Sequence, residues 1–176
     1  SDLPLKKDAR TILKLRPDQN IILLMPASRP QELRYILPTF MRAAKKLQQK
    51  YPSLVVYIPS CRNAFDEIFK KAFRKYQVKG HLISQKDSVK LKPYIYSLTK
   101  IALCKSGTVN MELALYGIPQ IVGYRVSRIT AFIAKRILNF KVRFISPVNL
   151  LVNKLIIPEF VQQEFDEKNI LNKRSE

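Results

Sequence analysis

Short, nearly uninterrupted apolar runs alternate along this chain with segments of helical apolar spacing, and that alternation constrains the fold more than any other feature. Ile21–Ala27 predicts a buried strand ending in a polar turn. Leu33, Ile36, Leu37, Phe40, Met41, Ala44 and Leu47 then recur on one helix face, with Arg34, Arg42, Lys45 and Lys46 outside it. Pro38 within that helix predicts a kink. Leu54–Ile58 predicts a second strand, Phe65, Ile68, Phe69, Ala72, Phe73 and Tyr76 a second helix face, and His81–Ser84 a short strand. A helix over Val89–Leu98, a strand over Ile101–Cys104 and a helix over Gly107–Tyr116 follow, the last closed by Gly117 in the left-handed position past a helix end. Gln120–Tyr124 is the next expected strand, Ile129–Phe140 the next helix, and a short helix around Glu159–Phe165 precedes a polar tail, 166–176. Residues 1–7 are expected to be a linker or cut end. Such alternation predicts one α/β domain, a Rossmann-like parallel sheet with helices on both faces. Ligands of such sheets bind beyond the carboxyl ends of the strands.

Charge narrows the partner. Lys and Arg number 32 against 13 Asp and Glu, a formal +19, which predicts an anionic partner: nucleotide phosphate, nucleic acid or an anionic membrane face. Two cysteines, Cys61 and Cys104, and one histidine, His81, supply neither a disulfide framework nor a zinc set, and a reducing cytoplasm is the default. No carboxylate cluster suits magnesium, so no cofactor is expected. Uncharged runs such as Ile21–Ser28 fall short of the roughly 18–20 residues of a membrane span. Neither a Walker loop nor a GxGxxG fingerprint is present.

Four constellations can carry chemistry. Pro26-Ala27-Ser28-Arg29 follows a strand and opens a helix, where backbone N–H groups and Arg29 suit an anion; the plainer account is a Ser28 cap with a solvated arginine. Lys105-Ser106-Gly107-Thr108 stands again between a strand and a helix, with Ser106 or Thr108 as cap and Gly107 allowing close approach. Glu112, about one turn inside, is the only acid between Asp87 and Glu159; it suits a ribose diol, or simply pairs with Lys105. Gly123-Tyr124-Arg125 ends a strand, and Ser146-Pro147-Val148-Asn149-Leu150 precedes Pro158-Glu159-Phe160-Val161-Gln162.

In their order these motifs, Pro-Ala-Ser-Arg-x-x-Glu, Lys-Ser-Gly-Thr-x-x-x-Glu, Ile-Val-Gly-Tyr-Arg, Ser-Pro-x-Asn-Leu and Pro-Glu-Phe-x-Gln, resemble the carboxyl-terminal half of lipid-A-disaccharide synthase, a GT-B-type glycosyltransferase. The resemblance covers roughly residues 8–170. It implies a donor-binding domain of an enzyme that joins UDP-2,3-diacylglucosamine to 2,3-diacylglucosamine 1-phosphate and releases UDP. By it Ser28 and Arg29 lie at the pyrophosphate, with Arg29 as leaving-group stabiliser. Ser106, Gly107 and Thr108 cradle phosphate, Glu112 holds the ribose, and Asn149 and Gln162 contact nucleotide or donor sugar. Ala27 departs from the family's usual glycine, and a methyl group there is expected to crowd the phosphate if the backbone needs positive φ. The acceptor domain and catalytic base belong to an amino-terminal half outside this chain, so the chain alone is expected to be inactive; His81 is read as structural.

The implied partners are the UDP-sugar lipid donor, the amino-terminal half of the same enzyme and an anionic membrane surface, at the inner face of the cytoplasmic membrane. Oligomeric state stays open, a homo-oligomer included. Within Tyr124–Phe144, Arg128, Lys135 and Arg136 border an apolar stripe of Ile129, Phe132, Ile133, Ile137 and Phe140, and are expected to meet lipid headgroups. Two alternatives stand. One is a basic nucleic-acid-binding α/β module without catalysis, favoured by charge but lacking a nucleic-acid motif. The other is a UDP-sugar transferase of the peptidoglycan pathway.

Overall fold

The computed structural model describes residues 3–127 and 143–173. The expected helix Ile129–Phe140 and the cations Arg128, Lys135 and Arg136 lie outside the described residues. Strands β1 (Asn20–Met25), β2 (Leu54–Pro59), β3 (Gly80–Ile83), β4 (Thr99–Lys105), β5 (Gln120–Tyr124) and β6 (Glu159–Val161) form one sheet in the order β3-β2-β1-β4-β5-β6. Every neighbouring pair is parallel, so every carboxyl end faces the same edge. This is the strand order of a Rossmann sheet, with its crossover between β1 and β4.

Side-chain alternation along β1 divides the core. Ile22 and Leu24 join the layer built on α2 (Pro30–Lys50), α3 (Asp66–Tyr76) and α7 (Glu167–Asn172). Ile21 and Leu23 join the layer of α1 (Lys6–Leu13), α4 (Gln85–Leu98), α5 (Val109–Leu115) and α6 (Pro147–Val152). All seven apolar residues expected on the α2 stripe are buried. The helix runs uninterrupted through Pro38. Gly117 adopts φ +63 past α5, as its position required.

Three expectations are corrected at the ends. Glu159–Phe165 is not a helix: Glu159, Phe160 and Val161 pair with Val122, Gly123 and Tyr124, and the strand stops where Gln162 turns left-handed at φ 54. The polar tail contains α7, capped by the Asp166 carboxylate, which accepts from Asn169 N at 2.8 Å. Ile170 anchors it in the core and Glu167 meets Arg42 at 3.2 Å. Lys6 and Lys7 are not linker; they open α1, which seats Ala9 against α4. Helix α6 had no stripe to announce it. Pro147 at its first position and the Ser146 hydroxyl, accepting from Val148 N at 3.2 Å, start it locally.

Candidate functional site

The carboxyl ends of β1, β2 and β4 open on a hollow of about 180 Å³. Its walls include Pro26, Ala27 and Ser28 from the β1–α2 turn, Cys61 after β2, and Lys105, Ser106, Gly107 and Thr108 between β4 and α5. Alone it is smaller than the roughly 300–1,000 Å³ of ordinary ligand sites. It continues, through shared Lys105 and Ser106, into a second hollow of about 400 Å³ that adds Arg29, Glu32, Tyr124 and Leu150. Arg29, Glu32 and Tyr124 also wall a third, of about 480 Å³, that reaches Arg125. Together they form a cleft along the sheet's carboxyl edge, where strand order reverses.

Helix α2 begins at this cleft with Arg29 as cap residue, in extended backbone, and Pro30 at the first position. No side chain caps it, so Ser28 does not serve as the cap; both Ser28 and Arg29 are exposed. The N–H groups of Gln31 and Glu32 therefore lack intrahelical acceptors, and a helix of 21 residues presents the positive end of its dipole there. Ala27 is not among the residues with positive φ. A glycine is not required by the backbone at this point, and the methyl simply joins the wall.

Lys105 and Glu32 form a pair that local spacing gave no reason to assign, being 73 residues apart. Lys105 Nζ lies 2.9 and 3.0 Å from the two Glu32 carboxylate oxygens. The side chains are 20% and 12% exposed, so the pair is largely withdrawn from water beneath the cleft. Lys105 is therefore not the partner of Glu112.

The turn into α5 is held from below. Asn110 Oδ1 accepts from Gly107 N at 2.8 Å, replacing the cap expected from Ser106 or Thr108. Asn110 Nδ2 donates to Gln120 Oε1 at 3.1 Å, and Gln120 Nε2 donates back to the Asn110 carbonyl at 2.9 Å. Ser106 Oγ donates to the Ile145 carbonyl. Its lone pairs remain, but its proton is engaged and is not free for a further acceptor. Beneath lies Cys104, fully buried, its thiol pushed up to about 12 by loss of water. It is no nucleophile.

Glu112, a turn inside α5, pairs with Lys92 at 2.9 Å and is about one-third exposed. It stands beside Tyr96, whose phenol is held above its ordinary range by burial first and by this carboxylate second. The described walls of the three hollows do not include Glu112, Asn149 or Gln162. Asn149 is fully buried. Its Oδ1 accepts from Ile156 N and Ile157 N at 3.0 and 2.9 Å, and its Nδ2 donates to the Ile157 carbonyl and Glu159 Oε1 at 2.7 Å each. All four bonding positions are filled, which explains the Ser-Pro-x-Asn-Leu motif as scaffold. Glu159, overlooked as a participant, completes it by accepting from Ile145 N and Ser146 N at 2.7 Å.

Gln162 acts through its backbone. Its N–H donates to the Tyr124 carbonyl at 2.9 Å, and its carbonyl accepts from Arg125 Nε and Nη2 at 3.1 and 2.8 Å. Arg125 also donates to the Phe165 carbonyl and stacks 5.4 Å from that ring's centroid. Phe165 rests on Gly123, where any Cβ would collide with it. The Gly-Tyr-Arg motif thus fastens the turn after β6. His81 is exposed on the edge strand β3, with its ring centroid 5.0 Å from that of Tyr57. Among the described residues no cluster of three His, Cys, Asp or Glu could hold a metal ion, and no helix is long and apolar enough to cross a membrane.

The family model described as lipid-A-disaccharide synthetase matches residues 2–176. The chain belongs to that family. The lipid-A-disaccharide synthase of Prochlorococcus marinus is 49% identical over 164 residues, which are 93% of this chain and 42% of that protein. The chain therefore spans less than half the length of the curated relatives it matches. Its fold is shared with the E. coli ADP-heptose lps heptosyltransferase II, at TM-score 0.66 and 11% identity over 97% of this chain and 50% of that one. It is also shared with the C-terminal CMP-Kdo binding domain of WaaA from Acinetobacter baumannii, at TM-score 0.55 and 12% identity over 96% and 84%. The family member described here thus carries a Rossmann-like α/β domain, the fold seen in those two structures.

Proposed function

We propose that this chain is the donor-binding half of a lipid-A-disaccharide synthase, taking UDP-2,3-diacylglucosamine for transfer to 2,3-diacylglucosamine 1-phosphate. One observation carries the proposal. The uncapped start of α2, Arg29 and the Lys105–Glu32 pair converge on the cleft at the sheet's carboxyl edge, in a chain of this family. The pyrophosphate would accept from the open amides of α2 and from Arg29. As the bond from the sugar's anomeric carbon to the phosphate oxygen breaks, negative charge grows on UDP, and fixed donors stabilise that charge more than they stabilise the bound donor. Glu112 would take the ribose diol, releasing Lys92 to do so. Acceptor site and general base would come from the remainder of the longer enzyme: removing the acceptor hydroxyl's proton needs a base, and the one carboxylate on the described walls of the cleft, Glu32, is already paired with Lys105. Since both sugars carry acyl chains, the protein would work at the inner face of the cytoplasmic membrane.

Titration calorimetry of the native chain and of Arg29→Ala with UDP and with uridine tests this. UDP binding is expected, and Arg29→Ala should weaken UDP about tenfold or more, the scale of a hydrogen bond to a charged group, while uridine changes little. Absence of UDP binding, or equal losses for both ligands, would overturn the assignment.

A further inference from the structure

Helices α2 and α3 lie side by side on one face of the sheet, but between the first half of α2 and the last turns of α3 they leave a hollow of about 400 Å³. Its floor is Leu33, Leu37 and Ala72, all buried, and its lip is Ile68, which is 41% exposed. The rim is cationic: Arg34 from α2, and Lys71 and Lys75 one turn apart on α3, all exposed. None of the three forms an ion pair among the described residues. The acids at the start of α3 are already engaged, Asp66 by the Ser60 hydroxyl at 2.6 Å and Glu67 by Lys70 at 2.9 Å. Lys75 Nζ instead lies 5.6 Å from the Tyr76 ring centroid.

We infer that this groove is a docking surface for an anionic lipid bilayer, with headgroup phosphates at Arg34, Lys71 and Lys75 and the apolar floor and Ile68 lip meeting acyl chain. Charge complementarity selects this occupant. Uncompensated cations alone would suit any polyanion, but a polyanion has no use for an apolar floor. An apolar partner surface has no use for three unpaired cations. A lipid interface satisfies both, because long cationic side chains lay their stems on apolar surface and keep their heads among phosphates. Formal charge of +19 adds long-range attraction to an anionic leaflet. The groove reaches Pro30, directly beside Arg29 of the cleft, so a bilayer here lies next to the site that would take a lipid-linked sugar. The inference extends the membrane part of the proposed function; of its residues, Arg34 also walls the cleft, whereas Lys71, Lys75 and Ile68 belong to the groove alone.

Co-sedimentation with vesicles of equal parts phosphatidylglycerol and phosphatidylcholine tests it. The triple variant Arg34→Gln, Lys71→Gln, Lys75→Gln should lose about fivefold in partitioning for each cation, roughly a hundredfold in all. A charge-matched control, Lys6→Gln, Lys7→Gln, Lys86→Gln on the opposite layer, should lose far less. Equal losses would mean that net charge alone drives binding and would overturn the groove. As the chain contains no tryptophan, Ile68→Trp gives an unambiguous second signal. Its emission should shift to the blue and be quenched by brominated phosphatidylglycerol; an unquenched, solvent-like spectrum on bound protein would also overturn it. Failure of UDP to bind the native chain would refute the donor site and leave these vesicle results standing.

Discussion

Replacing Asn149 with alanine separates two roles for one residue: nucleotide contact or scaffold. The structure argues for scaffold, and the size of the effect follows from its bonds. Asn149 is fully buried and its side chain makes four hydrogen bonds of 2.7 to 3.0 Å. Ile156 is exposed, so its freed N–H regains water; Ile157 is only 8% exposed, so both its N–H and its carbonyl lose partners in the dry interior. Two orphaned groups at about 1–3 kcal/mol each give a loss of about 3 kcal/mol. For a chain of this length that lowers Tm by roughly 6–12 °C. Asn149→Asp keeps the shape but replaces the donor facing Glu159 with a second carboxylate, and should be no milder at neutral pH. Differential scanning calorimetry gives Tm, and UDP titration well below the transition gives affinity. A large drop in Tm with near-native UDP affinity is expected. A native Tm with UDP binding lost would refute the scaffold argument.

Three further outcomes are expected. Glu112→Gln should weaken UDP about tenfold or more, as befits a charge-assisted bond, and leave 2′-deoxy-UDP nearly unchanged; equal losses for both would confine Glu112 to its ion pair with Lys92. Gly123→Ala drives a methyl group into the Phe165 ring, and should destabilise by at least about 1–3 kcal/mol in thermal unfolding; a native Tm would show that Phe165 does not need that contact. Iodoacetamide at mild alkaline pH should modify Cys61, which is exposed, and spare Cys104, whose buried thiol ionises only near 12. Mass spectrometry should find one adduct on native protein and two in guanidinium, and a second adduct on native protein would contradict the burial of Cys104.

The sheet was legible because its inner strands are apolar on both sides: Ile21 to Leu24 need no partner to be read as buried. The helices of its α2–α3 layer were legible by their stripes. What stayed hidden depends on distant partners. Nothing local distinguishes Glu159–Val161 from a helical turn; it is a strand because β5 offers an unpaired edge and Gln162 leaves it in a left-handed turn. The tail reads as polar, yet Ile170 and Asp166 suffice to fold it against α2. At the cleft, the motif residues Ser28, Arg29 and Ser106 to Thr108 do gather as their positions after β1 and β4 required. The Lys105–Glu32 pair, and the fastening bonds made by the Asn149 side chain and the Gln162 backbone, are matters of long-range bonding that spacing does not encode.

The reciprocal bonds between Asn110 and Gln120 have a thermodynamic consequence for any ligand of the cleft. They tie the first turn of α5 to β5 and, through Gly107 N, to the loop ahead of it. The loop is thereby ordered before anything binds. A ligand arriving there does not have to meet the roughly 1–2 kcal/mol per residue that fixing a free backbone costs. Rigid surfaces hold affinity by avoiding that loss, at the expense of adaptability. Binding at this edge should therefore show an entropy close to that of rigid-body association, and whatever movement accompanies catalysis falls to the elements that approach the cleft from outside.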